Sequence, residues 1–180
     1  EITGILASFF LTLALAWPLG RYIARVYAGE RTWTDPVLGP VERLFFRVSG
    51  IDSTREMTWI EHMKAMLTNN LLWFLLTMFV LMNMAWLPLN PDGNPSMSPD
   101  LAFNTTISFV VNCNLQHYSG ESGLSYLGQI WLMFLHFVSA ATGMAAAAVL
   151  FNALRERQTT ALGNFYDYFL KSCTRTLLPI

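Results

Sequence analysis

Residues 100–121 read DLAFNTTISFVVNCNLQHYSGE (Asp100–Glu121). The opening DLAFNTTISFVV (Asp100–Val111) is apolar and compatible with a helix, but its 12 residues reach only about 18 Å. A hydrocarbon core is about 30 Å thick, so this segment is too short to cross one. It is also too hydrophobic to lie in water. Ser98 is suited to cap its start, Pro99 fits the first helical position, and Asp100 complements the positive end of the helix dipole. Polar Asn112-Cys113-Asn114 follows, then Gln116, His117, Tyr118, Ser119, Gly120 and Glu121. What such a half-length helix does depends on its flanks.

Working outward, three stretches contain no Asp, Glu, Lys or Arg: Ile2–Leu19, Ala65–Leu87 and Ile130–Leu154, of 18, 23 and 25 residues. As helices they extend about 27, 35 and 37 Å, which predicts three membrane spans. Trp17, Trp86 and Trp131 stand at segment ends, where amphipathic rings settle at headgroup level. Pro18 is expected to close the first span, and Pro88 follows the second. Over the whole chain of 180 residues, 53% are hydrophobic and only 13% charged, against about 25% charged in typical soluble domains. That composition excludes a disordered chain, a collagen and a disulfide scaffold. The net charge of −1 gives no field that attracts a polyanion, so no nucleic-acid partner is expected.

The positive charges fix an orientation. All 11 lysines and arginines fall in Arg21–Lys64 or Arg155–Arg175, and the 42 residues of Pro88–Gln129 carry none. Positive loops stay inside, so Pro88–Gln129 and the N-terminus are expected outside. The first segment lacks a basic leader and a small-residue cleavage site, and so does not read as a removable signal peptide. Gly163–Ile180 reads as an interfacial helix leading into a further apolar segment, and the chain is expected to be a fragment. Cys113 and Cys173 fall on opposite sides of the membrane and are not expected to pair.

The order is therefore spanning helix, half-membrane helix, polar return, spanning helix. A short helix descending from outside points its negative C-terminal end toward the membrane centre, which favours a cation. The returning carbonyls of Asn112–Asn114 are then available to replace an ion's water shell. The alternative is an amphipathic helix lying on the membrane surface. Leu101–Val111 has no charged face to support it, so the re-entrant reading is preferred.

Individual residues keep two readings. Asn112 and Asn114 are ion-site residues or turn formers that tolerate left-handed backbone. Gln116 and Tyr118 orient the loop backbone or sit at a wet mouth. Glu121 raises local cation concentration or is a first-turn acid of the next helix. His62, His117 and His136 share no depth and no ligand spacing, so a metal or haem site is disfavoured. His136, Asn69, Asn70 and Asn83 are expected to hydrogen-bond between helices, and Ser139, Ala140, Gly143 and Ala147 to allow close helix approach. Catalytic signals are absent: the sequence has no phosphate-binding, aspartyl-phosphate or nucleophile-elbow motif.

Several stretches together resemble the N-terminal part of the potassium-binding subunits of Kdp-type potassium-transporting ATPases. They are WPLG (Trp17–Gly20), VERLFFRVSG (Val41–Gly50), REMTW (Arg55–Trp59), LPLNP (Leu87–Pro91) and, most densely, Asp100–Glu121. The resemblance implies an all-α integral membrane fold. An extra first helix (residues 1–19) and a cytoplasmic segment (20–64) would precede a potassium-channel-like membrane–pore–membrane repeat (65–154). Within that repeat lie a pore helix (100–111) and a filter loop (112–120), and a segment (155–180) leads to the next helix. The resemblance places the K⁺ filter at Asn112, Cys113, Asn114 and Gln116, and an outer mouth at Tyr118, Gly120 and Glu121. Cys113 stands where the family usually has Thr, and Leu115 where it has an aromatic.

The function implied is K⁺ binding and translocation in an ATP-driven uptake complex of the bacterial inner membrane, with no organic cofactor. The implied partners are a catalytic P-type ATPase subunit, two small accessory membrane subunits and the surrounding membrane lipids. A passive pore-loop K⁺ channel, an ion-coupled K⁺ transporter and a structural membrane subunit without an ion site are the alternatives.

Overall fold

A computed structural model describes residues 2–113, 115–156 and 162–179. The described residues are helical, with loops between. In chain order the helices are α1 (Ile2–Tyr27), α2 (Asp35–Ser49), α3 (Trp59–Met82), α4 (Pro99–Val110), α5 (Gly120–Gly123), α6 (Tyr126–Glu156) and α7 (Phe165–Lys171). A π-helical turn, Ser172–Leu177, continues from α7. Helices α1, α3 and α6 are long and apolar enough to cross a membrane, and the chain is an integral membrane protein of the all-α class.

Helix α1 runs through Pro18 to Tyr27 instead of stopping where the sequence suggests. Proline removes one N–H and crowds the preceding turn. Beyond it, however, Arg21 stacks over the Trp17 ring at 5.5 Å, and the Tyr22 hydroxyl donates to the Arg175 carbonyl at 2.7 Å. These contacts hold the extra turns helical. Helix α3 opens on a capping box in which Thr58 and Glu61 satisfy each other's backbone N–H groups. It ends at Met82, with the Asn83 amide turned back to the Phe79 carbonyl at 2.7 Å.

The core lies where α3, α4 and α6 meet. Leu81, Met84, Met97, Ala102, Val110, Leu124, Leu132 and Leu135 form one buried cluster. The packed stripe of α6 is Leu132, Leu135, Val138, Ala141, Ala145 and Ala148, at the spacing of one helical face. Of the small-residue series expected at a close contact, Ser139 is buried, but Gly143 is exposed and a Cβ there would meet open space. Between helices, Asn69 of α3 donates to Thr142 Oγ1 of α6 at 3.3 Å, and within α3 it accepts from Trp73 Nε1 at 3.2 Å. His136 instead packs its ring on Phe109. Trp131, expected at a headgroup boundary, donates to the buried Thr77 hydroxyl at 2.9 Å. Helix α6 begins at Tyr126, which places Trp131 more than a turn inside it.

The second cluster ties the basic segments together. Phe165 and Tyr168 of α7 pack on Ala65, Ala145 and Ala148. The buried Asn164 caps α7 through Tyr166 and Asp167 N–H groups, and donates to the Asp52 and Arg55 carbonyls at 3.1 and 3.0 Å. Gly163 adopts φ +85, and an added Cβ would lie 1.9 Å from the Tyr168 hydroxyl.

Candidate ion site at the end of the half-length helix

Helix α4 is short because both ends are specified. Pro99 starts it, and the Ser98 hydroxyl makes no cap bond to the helix backbone. Ser98 hydrogen-bonds the Asp100 carboxyl instead. That bond, with the N–H groups of Asp100 and Leu101, holds the carboxyl below its ordinary pKa. At the other end Asn112 turns left-handed, with φ +57. The Asn112 N–H then bonds the Phe109 carbonyl at 3.2 Å, and the Cys113 N–H bonds the Ser108 carbonyl at 2.9 Å. This pair of reversed bonds is a Schellman motif, which satisfies two of the orphan carbonyls at the end of α4.

A collar of amides sets the position of α4. The Met97 N–H donates to the Leu81 carbonyl at 3.0 Å, attaching the start of α4 to the end of α3. Asn90 accepts from the Asn94 N–H at 2.9 Å and donates to the Asn94 carbonyl at 2.8 Å. Asn94 in turn donates to the Leu124 carbonyl at 3.0 Å, and the Tyr126 N–H reaches the Leu89 carbonyl at 3.0 Å. The Asn94–Leu124 and Leu89–Tyr126 pairs span 30 and 37 residues, so no local signal in the sequence marks them.

Helix α4 then descends between its neighbours. Phe103 packs edge-on against Phe74 at 5.8 Å between centroids, and Phe109 against His136 at 6.2 Å. His136 lies ten residues into α6, about 15 Å from its start. The inner face of α4 is polar as well as apolar. Thr105, Thr106 and Ser108 are buried, and the Thr105 and Thr106 hydroxyls have no partner among the described residues.

The loop beyond α4 is open. Asn112, Cys113, Leu115, Gln116 and His117 are exposed, Tyr118 is half-buried against the core, and Asn114 lies outside the described residues. The Gln116 amide donates to the Tyr118 carbonyl at 2.8 Å, bracing the loop backbone. The Cys113 thiol contacts Ser108 Oγ at 3.6 Å. Glu121 falls in α5, ahead of α6, and accepts from the Ser119 hydroxyl at 3.2 Å. The Gly120 carbonyl accepts from Gln129 at 3.1 Å. Beneath the end of α4 opens a cavity of about 410 Å³, lined among others by Met66, Asn70, Val111, Asn112, Ser139 and Gly143. Among the described residues no three His, Cys, Asp or Glu side chains gather into a metal-binding cluster. The polar residues of the cavity lining are Asn70, Asn112, Ser139 and Thr142.

The family model described as potassium-transporting ATPase A subunit matches residues 6–180. The chain belongs to this family. Its similar relatives include the potassium-transporting ATPase potassium-binding subunit of Flavobacterium johnsoniae, 62% identical over 180 residues, covering 100% of this chain and 31% of the relative. The subunit of the same name from Bacteroides thetaiotaomicron is 52% identical over 181 residues, covering 100% of the chain and 32% of the relative. That from Alicyclobacillus acidocaldarius is 48% identical over 183 residues, covering 99% and 33%. The chain thus spans about a third of the length of the curated relatives it matches.

Proposed function

We propose that the chain contributes the extra first helix and the first membrane–pore–membrane repeat of a potassium-binding and translocating subunit in an ATP-driven uptake complex. In this reading residues 1–19 begin the first span, 20–64 are cytoplasmic, 65–154 form the repeat, and 155–180 lead back to the membrane. The N-terminus and the α3–α6 connection face outward across the bacterial inner membrane. Carbonyls of Asn112, Cys113 and Asn114 form one wall of a filter that strips and holds K⁺ from the outer side. Gln116 braces the returning strand, and Tyr118, Gly120 and Glu121 form the mouth.

The supporting observation is the Schellman termination of α4. It ends a half-length helix between two long apolar helices and turns its carbonyl end over an open cavity. Selection then rests on backbone, which explains how Cys113 can stand where relatives of this type carry other side chains. One repeat supplies one wall of such a site, and equivalent loops elsewhere in the longer subunit supply the rest. ATP hydrolysis takes place on a catalytic P-type ATPase subunit, and two small membrane subunits complete the complex. A passive channel shares the helix–loop–helix plan and differs in conducting without ATP.

The deciding experiment substitutes Asn114 in the full-length subunit within its complex and measures K⁺ affinity and K⁺/Rb⁺/Na⁺ discrimination. Weaker affinity or altered discrimination is expected. Unchanged values for both would remove the filter from this loop.

A further inference from the structure

Helix α2 carries a face that no other described residue covers. Val37, Val41, Leu44 and Val48 fall within an arc of about 60° when 3.6 residues make a turn, and they are 73%, 54%, 60% and 80% exposed. The opposite face is committed to the protein. Glu42 is buried there and accepts from Arg175 Nε at 2.8 Å and the Thr174 hydroxyl at 2.7 Å, while Asp35 also pairs with Arg175. Arg43 and Arg47 are exposed on one flank, about 90–130° from the centre of the valine–leucine stripe. Isolated exposed apolar residues need no explanation, but a stripe in helical register does.

The depth of this helix follows from its anchors. Trp17, with the Arg21 guanidinium over its ring, has the chemistry of a headgroup-level residue. Tyr22 lies five residues further along α1, about 7.5 Å, and bonds both the Arg175 carbonyl and Thr34, the residue before α2. Tyr27 bonds Ser172 at 2.7 Å. The π-helical turn therefore climbs back along α1 from Tyr27 toward Tyr22, and Arg175 with its α2 partners sits at the upper, more membrane-proximal end. The headgroup zone on each side of a bilayer is about 5–7 Å thick. Exposed Trp33 beside Tyr22, 6.4 Å between rings, adds a second belt aromatic at this level.

We propose that α2 lies in the plane of the membrane interface, with Val37, Val41, Leu44 and Val48 sunk among phospholipid acyl chains and Arg43 and Arg47 against the phosphates. The charge pattern favours lipid over a protein partner. The acids of α2, Asp35 and Glu42, turn inward to Arg175, so its free flank presents cations alone beside an apolar stripe. The inference rests on the membrane assignment of α1, α3 and α6 and is independent of the ion site.

The test places p-benzoylphenylalanine singly at Val41, Leu44 or Val48 of the full-length subunit in its assembled complex in native membranes, with Asp92 as a water-facing control position. After irradiation, mass spectrometry is expected to find phospholipid adducts at Leu44 and Val48 at least about fivefold above the control. Cross-links to another protein subunit at these positions would overturn the proposal, and so would lipid adducts no more frequent than at Asp92. In an Arg43→Gln/Arg47→Gln background the adduct yield should fall about twofold or more. An unchanged yield would overturn the phosphate contacts.

Discussion

Replacing Asn112 separates what its backbone does from what its side chain does. The residue sits at φ +57, where an L-residue bearing a Cβ is disfavoured by about 1–2 kcal/mol, asparagine less than others and glycine not at all. Two reversed hydrogen bonds, from Asn112 N–H to Phe109 and from Cys113 N–H to Ser108, depend on that conformation. If K⁺ is held by carbonyls in this turn, a residue that resists φ > 0 lowers the population of the binding-competent loop. A cost of about 1–2 kcal/mol becomes about a 5- to 30-fold rise in apparent Kd. Asn112→Gly should therefore stay within about twofold of the parent, because glycine adopts the turn freely. Asn112→Val should weaken K⁺ binding by the full factor. The assay is the K⁺ dependence of ATP hydrolysis by the assembled complex, checked by thallium binding to the full-length subunit. Equal losses in the glycine and valine variants would show that the amide side chain, not the turn, supports the site. An unimpaired valine variant would refute the requirement for the left-handed turn.

Other consequences concern the frame around the site. Arg175→Met leaves buried Glu42 and half-exposed Asp35 without their cation, and should cost about 3–5 kcal/mol in detergent-titrated unfolding of the full-length subunit. Adding Glu42→Leu to that variant should recover a large part of the loss. Gly163→Ala meets both the φ +85 backbone and the Tyr168 hydroxyl. It should cost more stability than the about 1–2 kcal/mol of backbone strain alone, read as a fall in the melting temperature of the full-length subunit. Thr77→Val removes the acceptor of the Trp131 N–H inside the helix pair. A loss of about 0.6 kcal/mol, and not above about 1.7, is expected from equilibrium unfolding.

The half-length helix was legible because its length, its proline start and its polar return are all local properties. Asn112 was legible as a turn former for the same reason. Its N–H bond to Phe109, and that of the next residue Cys113 to Ser108, span no more than five residues. Other details were not local. Pro18 reads as a stop, yet Tyr22 and its bond to Arg175, 153 residues away in sequence, accompany a helix that continues past it. Trp131 reads as a boundary residue until Thr77 is seen beside it. Asn94 reads as loop until its amide is found on the Leu124 carbonyl. The Ser139–Ala147 series reads as a helix contact, but the face that packs within this chain is the neighbouring one through Val138, Ala141 and Ala145.

By itself the sequence determined the membrane class, the three long apolar helices and the half-length helix among them, because hydrophobic length and charge distribution act residue by residue against a bilayer of fixed thickness. Tertiary structure decided which face of each helix is buried, how the Asn90–Asn94 collar holds α4 between α3 and α6, and that Arg175 gathers Asp35 and Glu42 from a distant segment. Those outcomes depend on which groups meet once the helices pack, and a hydrogen bond or ion pair exists only when both partners have been brought within about 3 Å.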